Sequence, residues 1–367
     1  MLIVIAAGGT GGHIYPGLAL AAGLRKIRPD VQILFVGTPR GLENQLIPAA
    51  GYDLALIDMV PFTNKEAIRL PPALTRSTFQ SWKIIRASKA SVAVGMGGYA
   101  SLPLMLGAKL ARIPRLIHES GAIPGRANLV AARVCPNVAL GFHQAKRSFS
   151  PRAITRTVGM PLDPSLSEFN RSELRQEARL AFGLKENMSM VMVNGGSQGA
   201  ATLNALAVGL AERWRDRDDI RILLKAGAAH EEKVAAELKE NGGEKVVELT
   251  RYIERMDHAY AASDFAICRA GAGTISELAV VELPAILVPY PYAPYDHQAV
   301  NAQTLVDEGG AIMIRDHRAL PEIVAPILEE KLSDPAGLMA MQRGLRAIAH
   351  PNATTELAEW VLELADQ

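Results

Sequence analysis

Cysteine is nearly absent from this chain: Cys135 and Cys268 are the only two in 367 residues. They lie far apart and lack metal-ligand spacing, which argues against a zinc site or a disulfide framework and for a reducing compartment. Long apolar runs are missing too. No stretch of about 18 apolar residues occurs, so no segment is expected to span a membrane. The N-terminus opens directly on a strand-like run, without the basic region and small-residue cleavage pattern of a signal peptide. Nor is there an excess of one charge. The net charge of +1 gives no sign of a nucleic-acid partner. What remains is a chain expected to be soluble and cytoplasmic, long enough and apolar enough for two domain cores.

What the chain does have is glycine, placed alike in its two halves. Leu2-Ile3-Val4-Ile5-Ala6-Ala7 runs into Gly8-Gly9-Thr10-Gly11-Gly12-His13, and Met190-Val191-Met192-Val193-Asn194 runs into Gly195-Gly196-Ser197-Gln198-Gly199-Ala200. Each reads as a short strand, a turn without side-chain bulk and a helix. Such turns bring backbone N–H groups and a helix N-terminus up against an anion, usually a phosphate. The duplication implies two similar α/β domains facing a shared cleft, a layout suited to an enzyme that joins two substrates.

Apolar runs alternate with helical patterns almost throughout, as in βαβ units with parallel sheets. Strands are expected at 2–7, 32–36, 53–57, 92–96, 115–118 and 138–141, then at 190–194, 220–225, 245–249, 265–269, 285–288 and 311–314. Between the sets lies Gly159-Met160-Pro161-Leu162-Asp163-Pro164, whose prolines continue neither helix nor central strand, so the domain boundary is placed there. Pro351 separates the last two helices. The final one, 354–365, carries Leu357, Trp360, Val361 and Leu364 at helical spacing and reads as a helix on a core, with the choice of core left open.

The first glycine turn departs from the nearby phosphate motifs. A Walker A loop needs Gly-Lys-Ser/Thr where this chain has His13, and the dinucleotide fingerprint fails because Ile14 takes its third glycine position. No acidic residue follows the second strand for a ribose, so a nicotinamide cofactor is disfavoured. His13 ends the turn, where a side chain projects into open space, and its near-neutral pKa suits proton transfer. The alternative is a local backbone cap. Thr10 would support it by hydrogen bonding. A third turn, Gly97-Gly98-Tyr99, and the pair His118-Glu119 also follow strands and should converge on His13; Glu119 otherwise reads as a carboxylate at a helix N-terminus.

In the second half the densest cluster is Ala272-Gly273-Thr274-Ile275-Ser276-Glu277. Ser276 and Glu277 are expected in the first turn of a helix, where a carboxylate can accept from the vicinal hydroxyls of a ribose while the small residues admit a diphosphate. A plain helix-dipole effect is the bland alternative. Gln298, opening another helix, offers a donor and an acceptor to sugar hydroxyls. Asp216-Arg217-Asp218-Asp219 contains the Asp-x-Asp of metal–diphosphate sites, but it sits in a charged turn and reads as solvated surface, so no metal is expected from it.

In order and spacing, Gly8 to His13, Gly97-Gly98-Tyr99, His118-Glu119, Gly195 to Ala200 and Thr274 to Glu277 resemble the bacterial peptidoglycan N-acetylglucosaminyltransferases that make lipid II, over essentially the whole chain. The resemblance implies the GT-B fold: an α/β architecture of two Rossmann-like domains with parallel sheets facing a central cleft. It implies an N-terminal acceptor and membrane-docking domain at 1–160, a UDP-sugar domain at 161–350, and a last segment, 351–367, returning to the first. UDP-N-acetylglucosamine is the implied donor. The implied acceptor is lipid I, a muramoyl-pentapeptide on undecaprenyl diphosphate, glycosylated at its 4-hydroxyl with inversion, without metal or cofactor. Carried over residue by residue, His13 and Glu119 are catalytic, and Thr10, Gly11 and Gly12 lie near the transferred sugar. Ser197, beside Gln198, contacts the diphosphate, Ile253 the uracil, Ala272 to Glu277 the nucleotide, and Gln298 the sugar. Two positions depart from the family pattern: Gly121 where asparagine is usual, and Asp163 where arginine is usual. Asn128 offers an amide near the first of these.

Another UDP-sugar transferase or epimerase of the same fold, or a nucleotide-sugar-binding protein without catalysis, are the alternatives. A lipid-linked acceptor further implies a peripheral protein at the cytoplasmic face of the membrane. Residues 73–89 are the candidate surface, with Leu74, Trp82 and Ile85 on one helical face beside Phe79, Arg76, Lys83, Arg86 and Lys89, ready to meet anionic lipid. A helix covering a sheet would carry the same stripe.

Overall fold

The computed structural model describes residues 1–60, 70–196 and 199–367. They form two compact units, one of Met1–Ser167 with His350–Gln367 and one of Glu168–Ala349. The first is built on seven strands: β1 (Leu2–Ala6), β2 (Gln32–Gly37), β3 (Asp53–Leu56), β4 (Val92–Gly95), β5 (Arg115–Glu119), β6 (Asn137–Leu140) and β7 (Ile154–Thr157). They pair in parallel in the order β3-β2-β1-β4-β5-β6-β7. Alternate residues of β1 enter opposite cores, Ile3 and Ile5 on one face, Val4 and Ala6 on the other. That is the two-residue period of a strand covered on both sides, and it explains why these strands read as unbroken apolar runs.

Strand β7 has no counterpart among the expected strands. Its Ile-Thr-Arg-Thr sequence pairs along one edge only, with β6, and leaves Ile154 55% exposed. An edge strand needs no apolar run and so gives no hydropathy signal.

The final helix, Ala353–Ala365, buries Leu357, Trp360, Val361 and Leu364 in the same core as Ile3 and Ile5. Gly23 of the helix Gly11–Ile27 makes that approach possible, since a Cβ there would lie 2.7 Å from Thr354 Cγ2. The Thr354 hydroxyl bonds both the N–H and the carbonyl of Leu162 at 3.1 Å, tying the chain leaving the first unit to the chain re-entering it.

The helix Leu70–Ser88 corrects the face assigned to residues 73–89. Ile85 is buried in the core and Leu74 packs against it, while Ser77 and Ser81 are fully buried. Gly107 of the helix Ser101–Ala111 lies so near Ser81 that a Cβ would come within 2.8 Å of the serine Cβ. Leu74 and Ile85 thus belong to the covering face, while Trp82 is half-buried. What the helix turns outward is Phe79, 51% exposed and stacked on Trp82 at 5.3 Å, with Lys83 Nζ 4.7 Å from the Phe79 ring centre.

The second unit holds β8 (Ser189–Asn194), β9 (Ile220–Lys225), β10 (Val247–Thr250), β11 (Phe265–Cys268), β12 (Ala285–Leu287) and β13 (Ala311–Met313). Again all are parallel, in the order β10-β9-β8-β11-β12-β13. In both sheets the chain runs outward one way from the central strand, then returns to fill the other side. The order therefore reverses between β1 and β4 and between β8 and β11, where open α/β sheets bind ligands outside the carboxyl ends of their strands.

Candidate active site

At the carboxyl edge of the first sheet, β1 delivers the chain into a turn with Gly9 at φ +89°. His13 stands in the first turn of the helix that follows, and its imidazole lies against the turn after β4. A Cβ on Gly97 would fall 2.6 Å from the ring's Cδ2 and 2.9 Å from Nε2; one on Gly98 would meet the Gly8 carbonyl at 2.3 Å. Both glycines also have positive φ, +102° and +78°. They are where the imidazole and the first turn need space. Thr10 Oγ1 stands 3.4 Å from His13 Nδ1, and the Tyr99 ring comes over Gly9. Thr10, Gly11, Gly12, His13, Gly97, Gly98 and Tyr99 are thus gathered at the β1/β4 reversal.

Burial holds the His13 pKa below 6.5, against the weaker opposing pull of the Gly8 carbonyl and the Glu43 carboxylate. The ring is therefore neutral at pH 7 and can accept a proton.

Glu43, absent from the candidates drawn from the sequence, is the carboxylate that organises this edge. It is fully buried and accepts from the Gly9 N–H at 2.9 Å, the Thr38 N–H at 3.0 Å and the Thr38 hydroxyl at 2.9 Å. A Cβ on Gly41 would fall 1.7 Å from its Oε2. The Gly9 amide, which the turn motif offers to a phosphate, is thus bonded to the protein's own anion, and a second anion there would meet like charge. Glu43 opens the helix Glu43–Ala49, so the dipole explains it from sequence and hides its reach back to the turn. The surrounding Gly37, Thr38 and Gly41 were the available signal.

Glu119 ends β5. Its carboxylate accepts from the Gly121 N–H at 2.9 Å, the Gly125 N–H at 3.1 Å and Asn128 Nδ2 at 2.9 Å. It is buried, which raises its pKa against those bonds. No hydrogen bond joins it to His13 among the described residues. The helix-dipole alternative does not describe it either, since the next helix begins only at Arg126. Asn128 turns inward, its amide bonded to Glu119 and to the His118 carbonyl. His118 is wholly buried, bonded through Nε2 to the Gly159 carbonyl at 2.9 Å, and burial drives its pKa down to about 4.

In the second unit the helix after β11 runs Ala272–Val280, with Gly271 as an N-cap that supplies no side-chain bond. Ser276 and Glu277 therefore sit one turn later than expected, beyond the reach of the terminal dipole. Something else holds Glu277: the hydroxyl of fully buried Tyr260 donates to its Oε2 at 2.6 Å. Ile275 turns into the core, whereas Ala272, Gly273, Thr274 and Ser276 are partly exposed. Gln298 Oε1 accepts from the N–H groups of Ala270, at 3.2 Å, and Tyr290, at 2.9 Å, which fixes its amide beside the turn. Ile253 is buried after β10, next to Tyr252, which is 60% exposed. Ser197 and Gln198 lie outside the described residues. In the Asp216–Asp219 turn, Arg217 pairs with Asp219 through two bonds of 2.7 and 2.6 Å. Both cysteines are buried, which raises their thiols, Cys135 to about 12.

Two domain families match this chain: the glycosyltransferase family 28 N-terminal domain over residues 3–140 and its C-terminal domain over residues 190–356. A protein of Saccharopolyspora erythraea is 39% identical over 99% of this chain and 94% of its own length. One of Streptomyces avermitilis is 39% identical over 99% and 98%. Both are named UDP-N-acetylglucosamine–N-acetylmuramyl-(pentapeptide) pyrophosphoryl-undecaprenol N-acetylglucosamine transferase. Among solved structures, Acinetobacter baumannii MurG superposes with a TM-score of 0.77 at 29% identity, over 99% of both chains.

Proposed function

The chain belongs to glycosyltransferase family 28, and from that premise we propose that it makes lipid II, transferring N-acetylglucosamine from UDP-N-acetylglucosamine to undecaprenyl-diphosphate-linked muramoyl-pentapeptide. It is a glycosyltransferase with the GT-B fold. The observation that carries the choice of substrates is the full-length identity to relatives named for this reaction. No epimerase or binding-protein reading has equal support.

The reaction is a single displacement. The muramoyl 4-hydroxyl attacks the anomeric carbon, the bond to UDP breaks with inversion, and UDP leaves with the electron pair. His13 takes the hydroxyl proton, supported by its neutral state and its seat on Gly97 and Gly98. The imidazolium so formed is stabilised by the nearby Glu43 carboxylate, whose pull on His13 is already present. Thr10, Gly11, Gly12 and Tyr99 line the same edge, and Glu119 with Asn128 holds the loop beyond β5 in shape.

The second unit, in this reading, holds the donor. Glu277, oriented by Tyr260, takes the ribose hydroxyls, Gln298 reaches the sugar and Ile253 lies by the uracil. The N–H groups at the start of the helix Ala272–Val280 receive developing phosphate charge. The unit Met1–Ser167 with His350–Gln367 then forms the acceptor half and Glu168–Ala349 the donor half, which moves the boundary seven residues past the one expected after 160.

No described helix is long and apolar enough to cross a membrane. Access to a lipid-linked acceptor then requires docking on an anionic surface at the cytoplasmic face, and exposed Phe79 with Lys83 and Arg86 supports the helix Leu70–Ser88 as the contact. Incubation with radiolabelled UDP-N-acetylglucosamine and a lipid I analogue tests the whole reading. Label should appear in the lipid product. Epimerised sugar, or UDP binding without transfer, would replace it.

A further inference from the structure

We propose that Lys225 is a phosphate-binding residue of the donor site, an inference that rests on the second unit being where UDP binds. Lys225 is the last residue of β9 and only 8% exposed. Among the described residues no hydrogen bond or ion pair reaches its ammonium group. A lysine this buried is normally paired, because taking an ammonium out of water is expensive without a counter-charge. Its surroundings are those of a waiting cation. Nζ stands 5.5 Å from the ring centre of Tyr252, and the Glu277 carboxylate is near enough to oppose the lowering of the lysine pKa by burial. Glu277 is itself held by Tyr260.

The backbone places this cation beside the second glycine turn. Lys225 is level with Asn194, the residue leading into Gly195-Gly196, on one side, and with Thr250 on the other. The next carbonyl, that of Ala226, lies so close to Gly199 that a Cβ there would come within 1.9 Å. Nζ thus sits between the segment assigned to uracil and the carboxylate assigned to ribose, at the strand end beside the turn. Of the groups a nucleoside diphosphate brings, only the phosphates carry the charge that an unpaired ammonium lacks.

Titration of UDP, UMP and uridine against the parent, K225Q and K225R tests this. K225Q should weaken UDP by about 10- to 100-fold, the range for a charge-assisted bond, while uridine changes little. K225R should retain most of the UDP affinity. Thermal melting of ligand-free K225Q should match or exceed the parent, because an unpaired buried charge is removed. Equal losses on UDP and uridine, unchanged UDP binding, or a lowered melting point in ligand-free K225Q would overturn the proposal. A parent protein that binds no UDP at all would instead sink the donor-site reading beneath it.

Discussion

The two glycine turns share a backbone and differ in charge. Gly9 and Gly196 hold matching positive φ values, +89° and +88°, each after the central strand of a parallel sheet with the same reversal of order. Strands β2 and β9 occupy the same place beside those central strands. Beyond β2 the chain supplies Glu43, a buried acid bonded to the turn; the last residue of β9 is Lys225, a buried cation with no hydrogen bond or ion pair among the described residues. The turn alone does not decide whether an anion binds. Its neighbour does: the first turn is filled by the protein's own carboxylate and serves as a seat for His13, whereas in the proposed reading the second receives phosphate.

The largest effect expected from breaking this division is at His13. H13A should lower kcat by about 10²- to 10⁴-fold, the usual cost of losing a general base, with UDP affinity unchanged. The pH profile sharpens it. A folded-state pKa held below 6.5 means that the neutral base persists as pH falls to 6.5 and is lost only below it. The acid limb of kcat should therefore lie under pH 6.5. A limb above that value, or near-normal turnover in H13A with collapse in E119A, would transfer the role to Glu119.

An intermediate effect separates the two acids. E277A should cost UDP about 1.5–3 kcal/mol, or roughly 10- to 100-fold in Kd, and Y260F should lose part of that by freeing the carboxylate to turn. E43Q should leave UDP affinity alone. Glutamine keeps one acceptor oxygen, so its NH2 must face either the Gly9 or the Thr38 N–H, and urea unfolding should reveal a loss of about 1–3 kcal/mol. Weakened UDP binding in E43Q would dissolve the contrast between the turns.

Most strands were legible because a strand covered on both faces is an apolar run bounded by glycine and proline. β7 was not, since Ile-Thr-Arg-Thr carries a single apolar residue. The glycine turns were legible as backbone, and so was His13 as their unusual end. The partners were not. Glu43 and Tyr260 reach their targets across 34 and 17 residues of sequence, and nothing local records such contacts. Lys225 read as the end of a strand, its significance lying in what it fails to touch. The amphipathic stripe of Leu70–Ser88 was read correctly as a stripe and assigned outward, because periodicity gives a face without saying which side the core is on.

The smallest expected effect concerns that helix, and it extends the contrast between the halves to the membrane. If the acceptor half alone meets lipid, substitutions there should change vesicle binding without touching the donor site. Arg76 is held by Asp58 at 2.8 Å, and Ile85 and Leu74 serve the core, so neither cation nor stripe there is free for lipid. Phe79, Trp82, Lys83, Arg86 and Lys89 remain. Each basic residue near an anionic surface adds about 1 kcal/mol, screened by salt. The double variant F79S/R86E should therefore pellet less with phosphatidylglycerol vesicles than the parent, with the difference shrinking as salt is raised. UDP affinity should be unchanged, and turnover on a water-soluble acceptor analogue should be preserved while turnover on vesicle-borne acceptor falls. Equal pelleting of parent and variant at low salt would remove this helix from the docking surface, leaving the chemistry of the two turns as it stands.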